Sequence, residues 1–302
     1  MINKLIPKKL QKGDTIGILG ASGSLNDEHL KALENAKNYF TSKGFRVKIS
    51  PSCYKCENYL AGSDEDRIRD LETFFEDDSI DAIIAARGGY GAIRILSQID
   101  YSKIKPKIFA GFSDITAFQW FLYKKCGLIS FHAPMACSDF GNNIDPFTEK
   151  SFFDTLEGKI NNIRLQPTFQ YNMKEKIEGI LMPSNLATLS SLCGTDFFTL
   201  EKKLLMLEDV NEPLYKIDRM LTQLFENKPF SKSISAVLLG KFSDIDDTES
   251  NFKKLFENLS SKYSVPVCDG IHFGHIKQKL TIPFGQNATL RFDDKNIEFT
   301  EF

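Results

Sequence analysis

The segment Gly111-Phe112-Ser113-Asp114 joins an apolar run, Ile108-Phe109-Ala110-Gly111, to a stretch with helical spacing from Ile115 to Tyr123. A serine at a strand-to-helix turn has its hydroxyl lifted clear of the sheet, and the first helical N–H groups face the same space. That position suits a nucleophile. The same four residues also describe a plain helix start, with Ser113 as N-cap and Asp114 favouring the helix dipole. A nucleophilic serine needs a base, and the base needs a group that orients it. There are four histidines: His29, His132, His272 and His275. His29 falls in the first expected helix, at the surface, and His132 follows Ile129-Ser130-Phe131. His272 and His275 flank Phe273-Gly274, and in an extended segment their odd spacing turns them to different faces. His275, next to Gly274, has the accessible setting of a general base. The acid candidate is Glu208, in the apolar strand Leu204-Leu205-Met206-Leu207 that ends in Glu208-Asp209. An acid there can orient an imidazole, or it can be a solvated strand terminus. Ser, acid, His is one known order for a triad along a chain.

A second cluster is Arg87-Gly88-Gly89-Tyr90-Gly91, after the apolar run Ala82–Ala86. Three glycines in four residues let backbone N–H groups approach a ligand closely, and such groups can form half of an oxyanion hole. A plain Gly-rich turn is the alternative. No G-K-[ST] follows, so a phosphate loop is set aside, and Gly20-Ala21-Ser22-Gly23 falls short of a dinucleotide fingerprint. The pattern around Ser113 lacks the G-x-S-x-G of an ordinary α/β-hydrolase esterase, since Ile115 and Thr116 follow Asp114. Cys53 and Cys56 form a single C-x-x-C without the second pair or the histidines that zinc would need. No metal and no organic cofactor is expected.

Positioning these groups requires a scaffold, and the first half alternates strand and helix signals. Expected strands are Thr15–Leu19, Phe45–Ile49, Ala82–Ala86 and Ile108–Gly111. Expected helices are 30–42, with Leu30, Leu33, Ala36 and Phe40 inward, and 64–75, with Ile68, Leu71 and Phe75 inward. Such alternation argues for a parallel sheet with helices on both faces, where ligands bind beyond the C-terminal strand ends. Residues 1–140 are read as this nucleophile-bearing domain, 141–176 as a crossing segment, and 177–302 as a C-terminal domain carrying the acid and the base. The second domain is expected to hold helices near 186–192, 215–225 and 252–259, and strands at 204–207, 236–240, 266–268 and 288–292.

Composition narrows the classes. Of 302 residues, 42% are hydrophobic and 26% charged, which supplies a sizeable core. A net charge of -2 provides no basic field, so nucleic acid is not an expected partner. No run approaches the roughly 18 apolar residues of a spanning helix, and the N-terminal segment lacks the apolar stretch of a secretory signal. A cytoplasmic location with no membrane partner is the expectation. Six cysteines are scattered along the chain, of which Cys126, Cys193 and Cys268 are expected to be buried thiols.

Together these segments resemble the LD-carboxypeptidase family of serine peptidases over nearly the whole chain. The resemblance runs through Lys12–Ile18, Ala86–Ala92, Gly111–Thr116 and Leu207–Glu212 with Tyr215 and Asp218–Leu221. It ends in Gly274-His275 with Lys277, Leu280, Pro283 and Gly285. It implies a flavodoxin-like parallel-sheet N-terminal domain and a smaller, swivelling-type α/β C-terminal domain. It implies Ser113 as nucleophile, Glu208 as acid and His275 as base, on different domains, and a homodimer. Gly88, Gly89 and Asp114 would serve the oxyanion, and Arg87 or Arg219 a terminal carboxylate. The implied activity is release of the terminal D-Ala from murein tetrapeptides, at the bond after an L-diamino acid, in peptidoglycan recycling. The alternatives are a microcin C-type peptide–nucleotide hydrolase conferring self-immunity and a non-catalytic peptide-binding protein. Two places depart from the family pattern. Pro183-Ser184 stands where a Gly-Gly is common, and Ala133 where His-Gly-Pro-Met would have glycine.

Overall fold

The structure, a computed structural model, describes residues 2–300. In chain order the first elements are β1 (Thr15–Leu19), α1 (Asp27–Ser42), β2 (Arg46–Ile49), α2 (Asp64–Glu76) and β3 (Ala82–Ala85). The single turn α3 (Ala92–Ile95) follows, then β4 (Ile108–Gly111), α4 (Ile115–Cys126), β5 (Ser130–His132) and α5 (Pro146–Leu156). The second half begins with β6 (Asn162–Arg164), β7 (Gln170–Tyr171), β8 (Lys176–Asn185), α6 (Leu186–Ser191) and β9 (Lys203–Val210). Next come α7 (Leu214–Glu226), α8 (Lys228–Ser233), β10 (Ile234–Ser243), α9 (Glu249–Tyr263) and β11 (Val267–Cys268). The last strands are β12 (Ile282–Phe284), β13 (Asn287–Arg291) and β14 (Asn296–Phe299). The chain forms two compact units. One holds Ile2–Lys159 with Leu280–Ile282, and the other Ile160–Lys279 with residues 283–300.

In the first unit the strands β2-β1-β3-β4-β5 lie side by side and all parallel. This is the flavodoxin-like 2-1-3-4-5 order, whose switch point lies between β1 and β3. Every residue of β1, β3 and β4 is buried, as expected for strands covered by helices on both faces. Helix α1 presents Ala32, Leu33, Ala36 and Phe40 to a core that includes Ile16, Ile18, Phe131, Phe140 and Phe152. Several phenylalanines meet ring to ring there, with centroids 4.5 Å apart for Phe40–Phe140 and 4.9 Å for Phe140–Phe152. The second unit is a mixed sheet in the order β6-β14-β13-β8-β9-β10-β11-β7. Strands β8, β9, β10 and β11 are parallel, while β13, β14 and β6 add antiparallel at one edge and β7 at the other. The α/β class read from the sequence therefore holds, with a parallel sheet in the first half and a second sheet in the C-terminal part.

Four local expectations are corrected. Helix α2 buries Arg67, Asp70, Leu71, Phe74 and Phe75, and Ile68 is only half-buried. The apolar spacing pointed one residue too far along, because an arginine was not counted as an inward residue. Arg67 is fully buried, and its Nη1 donates to Ala21 O (3.1 Å) and Gly91 O (2.9 Å) while Nη2 pairs with Asp64. Long-range backbone partners satisfy a charge that would otherwise be driven to the surface. Second, Cys126 and Cys193 are half-buried, and only Cys268 of the three expected buried thiols is fully enclosed. Helix α4 ends at Cys126 with Gly127 as a left-handed cap, so the thiol sits at a helix terminus rather than within the helix's apolar face. Third, Glu208 is inside β9, which continues to Val210. Fourth, the polar stretch before Ile177 carries β6 and β7, and β8 starts at Lys176. Those short strands are specified by partners more than 90 residues away, β14 and β11, so their own sequence carries little signal.

Candidate active site

Ser113 sits between the end of β4 and the first turn of α4 with φ of 65°. A left-handed serine costs about 1–2 kcal/mol relative to a relaxed one, and such strain concentrates at functional positions. The turn is overdetermined by its neighbours. Thr116 N donates to Ser113 O at 3.0 Å, and Ala117 N to Asp114 O at 3.1 Å, which starts the helix directly behind the serine. Gly111 is closely packed, since a Cβ there would lie 3.0 Å from Ala85 and Ile115 side-chain atoms. Ser113 is half-buried, with its flanking residues buried.

The glycine loop after β3 lies against this serine. A Cβ on Gly88 would come 2.8 Å from Ser113 Cβ, 2.9 Å from its Oγ and 3.5 Å from Asp114 N. Only glycine leaves that space, so backbone occupies the ground beside the hydroxyl. Gly89 is exposed, with φ of 116°. Asp114 is buried, and its Oδ2 accepts Ser22 Oγ at 2.6 Å and Ala92 N at 2.9 Å. Burial pushes its carboxyl above the usual range, against the opposing pull of those two donors and of the Arg67 charge. Arg87 Nη1 donates to Ser24 O at 3.0 Å, which ties the base of the glycine loop to the loop after β1. The structure thus gathers Ser113, Gly88, Gly89, Asp114 and Arg87 at one sheet edge in the first unit.

In the second unit Glu208 and His275 meet. Glu208 has no exposed surface, and its Oε2 lies 2.8 Å from His275 Nδ1 and accepts the backbone N–H of His275 at 3.2 Å. An oxygen that already accepts one N–H takes Nδ1 as a second donor, which leaves Nε2 with its lone pair. Burial would lower the His275 pKa, but the Glu208 hydrogen bond and charge, with the Asp209 charge behind them, raise it above 6.5. The close approach depends on Gly274, whose φ is 117° and whose Cβ would fall 2.7 Å from Glu208 Oε2. Gly274→Ala is therefore expected to lower kcat/KM by about 100-fold, because roughly 1 Å of misplacement has that effect. Steady-state kinetics with the His275 ring resonances as a structural readout would check this. Unchanged rates would mean that the loop yields without moving the imidazole.

Asp209, on the opposite face of β9, anchors the same strand. Its carboxylate accepts Asn185 Nδ2 (3.0 Å), Val210 N (2.9 Å) and Ala187 N (2.8 Å), and burial pushes its pKa up to about 6. Arg219 is exposed on α7. Of the other histidines, His132 is buried at the end of β5, and His29 is half-buried and completes the capping box of α1 with Asn26. Among the described residues no group of His, Cys, Asp or Glu is placed to hold a metal ion. Sequence reasoning passed over Arg67, the Ser22 hydroxyl and the Asp209–Asn185 pair. Each has a hydrogen-bond partner at least 24 residues away, beyond the reach of a local motif.

A strained serine beside glycine backbone in the first unit, and a carboxylate-bound imidazole in the second, are groups of the kind that hydrolases use, and the α/β fold is a frame such enzymes share. The family models agree with it: the LD-carboxypeptidase N-terminal domain matches residues 16–133 and the LD-carboxypeptidase C-terminal domain residues 178–290. A probable murein peptide carboxypeptidase of Bacillus subtilis (strain 168) is 33% identical over 96% of this chain and 92% of its own. A crystal structure of muramoyltetrapeptide carboxypeptidase from Oxalobacter formigenes superposes with a TM-score of 0.83 at 30% identity, covering 95% of this chain and 98% of that one. The structure of MccF in complex with glutamyl sulfamoyl guanosine gives a TM-score of 0.88 at 25% identity, covering 99% of both chains. The chain belongs to the LD-carboxypeptidase family of peptidases.

Proposed function

We propose that this protein is a serine-type LD-carboxypeptidase that removes the terminal D-Ala from murein tetrapeptides, with Ser113, Glu208 and His275 as its triad. The observation that carries this reading is Ser113 at φ of 65° with Gly88 packed against its side chain. The His275–Glu208 pair and the murein-directed names of two similar proteins support it.

In the catalytic state His275 Nε2 takes the Ser113 proton as Oγ attacks the scissile carbonyl. Glu208 Oε2 holds Nδ1–H and stabilises the imidazolium. The N–H groups of Gly89 and Asp114 receive the oxyanion, a donor pair in which each member is worth about 3–4 kcal/mol of transition-state stabilisation. His275 then returns the proton to the departing D-alanine nitrogen, and water, activated by the same imidazole, releases the acyl group from Ser113. Arg87 or Arg219 would bind the terminal carboxylate. The reading includes a cytoplasmic homodimer acting in peptidoglycan recycling on a murein-derived peptide.

A peptide–nucleotide is the second substrate to consider, because the fold also superposes closely on MccF. The single tryptophan, Trp120, is fully buried within α4 and offers no surface for stacking on a base. Incubation with a murein tetrapeptide, its L-Ala-terminated analogue and a peptidyl sulfamoyl nucleoside, followed by mass, separates the readings. Loss of a single D-Ala, with the L-analogue intact, is the expected result. Cleavage of the nucleoside conjugate alone would replace the murein assignment.

A further inference from the structure

The segment Gly20-Ala21-Ser22-Gly23 has no part in the mechanism above, yet it lies at the switch point of the sheet. In the order β2-β1-β3-β4-β5 the loops after β1 and β3 flank one crevice. Gly23 N donates to Gly88 O at 3.2 Å, and Gly23 N and Cα lie 3.4 and 3.3 Å from where a Cβ on Gly89 would be. The loop after β1 is thus the floor on which the glycine loop rests.

Two buried charges bind this floor to the nucleophile turn. Asp114 Oδ2 accepts Ser22 Oγ from the β1 loop and Ala92 N from the residue just past the glycine loop. Arg67 donates to Ala21 O in the first loop and Gly91 O in the second. Ser22 is 1% exposed, Asp114 6% and Arg67 0%. The 2.6 Å Ser22–Asp114 bond is of the charge-assisted kind. Asp114 directly follows Ser113, so its side-chain partners set the orientation of the peptide unit that carries its own N–H. Oxyanion donors act only when they lie about 2.7–3.1 Å from the developing charge.

We propose that the side chains of Ser22 and Asp114 are positioning residues, a hydrogen-bonded clamp that holds the 88–91 backbone and the Asp114 N–H in register with Ser113. The inference rests on the reading of Ser113 as nucleophile and of Gly89 and Asp114 N–H as oxyanion donors. It predicts that loosening the clamp slows turnover at each intact site while substrate binding stays as it was.

The test uses Ser22→Ala, Asp114→Asn and the double variant in the full-length protein, with Ser113→Ala alongside. Reactive sites are counted by end-point labelling with a fluorophosphonate, and kcat is expressed per labelled site. Ser22→Ala should lower per-site kcat about 10-fold and Asp114→Asn somewhat more, with KM within about 2-fold. The double variant should be no slower than Asp114→Asn alone, because both changes break one linked unit. A purely structural role would lower the labelled fraction or the melting temperature and leave per-site kcat at the wild-type value, which would overturn the proposal. Additive losses in the double variant would overturn it as well. Turnover or labelling retained by Ser113→Ala would sink the nucleophile reading itself. An inactive Ser113→Ala beside a normal Ser22→Ala and Asp114→Asn would sink the clamp alone.

Discussion

Ser113→Ala will lower kcat at least about 10⁴-fold, since removing the nucleophile of a triad leaves only binding and oxyanion stabilisation. The fold should survive. Alanine keeps the Cβ, and the turn is held by backbone bonds from Thr116 and Ala117 and by the Asp114 side chain. Ser113→Gly sharpens the result. Glycine takes φ of 65° without the left-handed penalty, and its greater freedom in the unfolded chain offsets part of that gain. The glycine variant should be as inactive as the alanine one and at least as stable, by up to about 1 kcal/mol. That pairing is the signature of strain kept for chemistry. Turnover measured on the tetrapeptide, with unfolding followed by denaturant, decides it. Substantial turnover in either variant would remove Ser113 from the mechanism, and a glycine variant clearly less stable than the alanine one would remove the strain argument.

Glu208→Gln will lower kcat/KM by about 10⁴-fold, the scale seen when the acid of a triad becomes an amide. The buried carboxylate has two roles here, and an amide cannot fill the first. It supplies negative charge to the imidazolium, and it accepts Nδ1–H and the backbone N–H of His275 on one oxygen. The pH profile carries a second expectation. A general base must be neutral, so wild-type kcat/KM should climb with pH through a midpoint above 6.5. Burial alone would put that midpoint lower, and Glu208 is the leading group that raises it. Residual activity of Glu208→Gln should therefore rise through a more acidic midpoint. The same raised value means that the charged pair stabilises the fold fully below the unfolded-state pKa of His275, and that this contribution is lost as pH rises through the folded-state value. A variant profile that keeps the wild-type midpoint would show that Glu208 does not set the basicity of His275.

The candidate residues could be picked out because they stand in short, marked runs. Gly111-Phe112-Ser113-Asp114 is marked by an apolar run on one side and helical spacing on the other, and the structure puts a left-handed serine at that junction. Gly274 before His275 is similar: a glycine beside a candidate base, which the structure shows to be needed for the approach to Glu208. The parallel sheet could be read from the alternation of apolar runs with amphipathic stretches, since buried parallel strands are apolar throughout. Pro183, one of the two departures noted in the sequence, is also accommodated for a visible reason. The β13 ladder on β8 stops at Ile180, so the missing N–H falls beyond that pairing.

What the sequence determined by itself was local: which runs are apolar, where the turns fall, and which serine and histidine stand beside glycine in those turns. Periodicity and turn chemistry act over a few residues, so one chain carries them without help. The tertiary structure alone decided which distant polar groups meet. Arg67 looks like one more charge in an acidic helix until Ala21 and Gly91 present their carbonyls to it. Ser22 looks like loop until Asp114, 92 positions away, takes its hydroxyl. Strands β6 and β7 exist because β14 and β11 supply their hydrogen bonds. A buried polar group is stable only where a partner replaces water, and that partner is chosen by the packing of the whole unit.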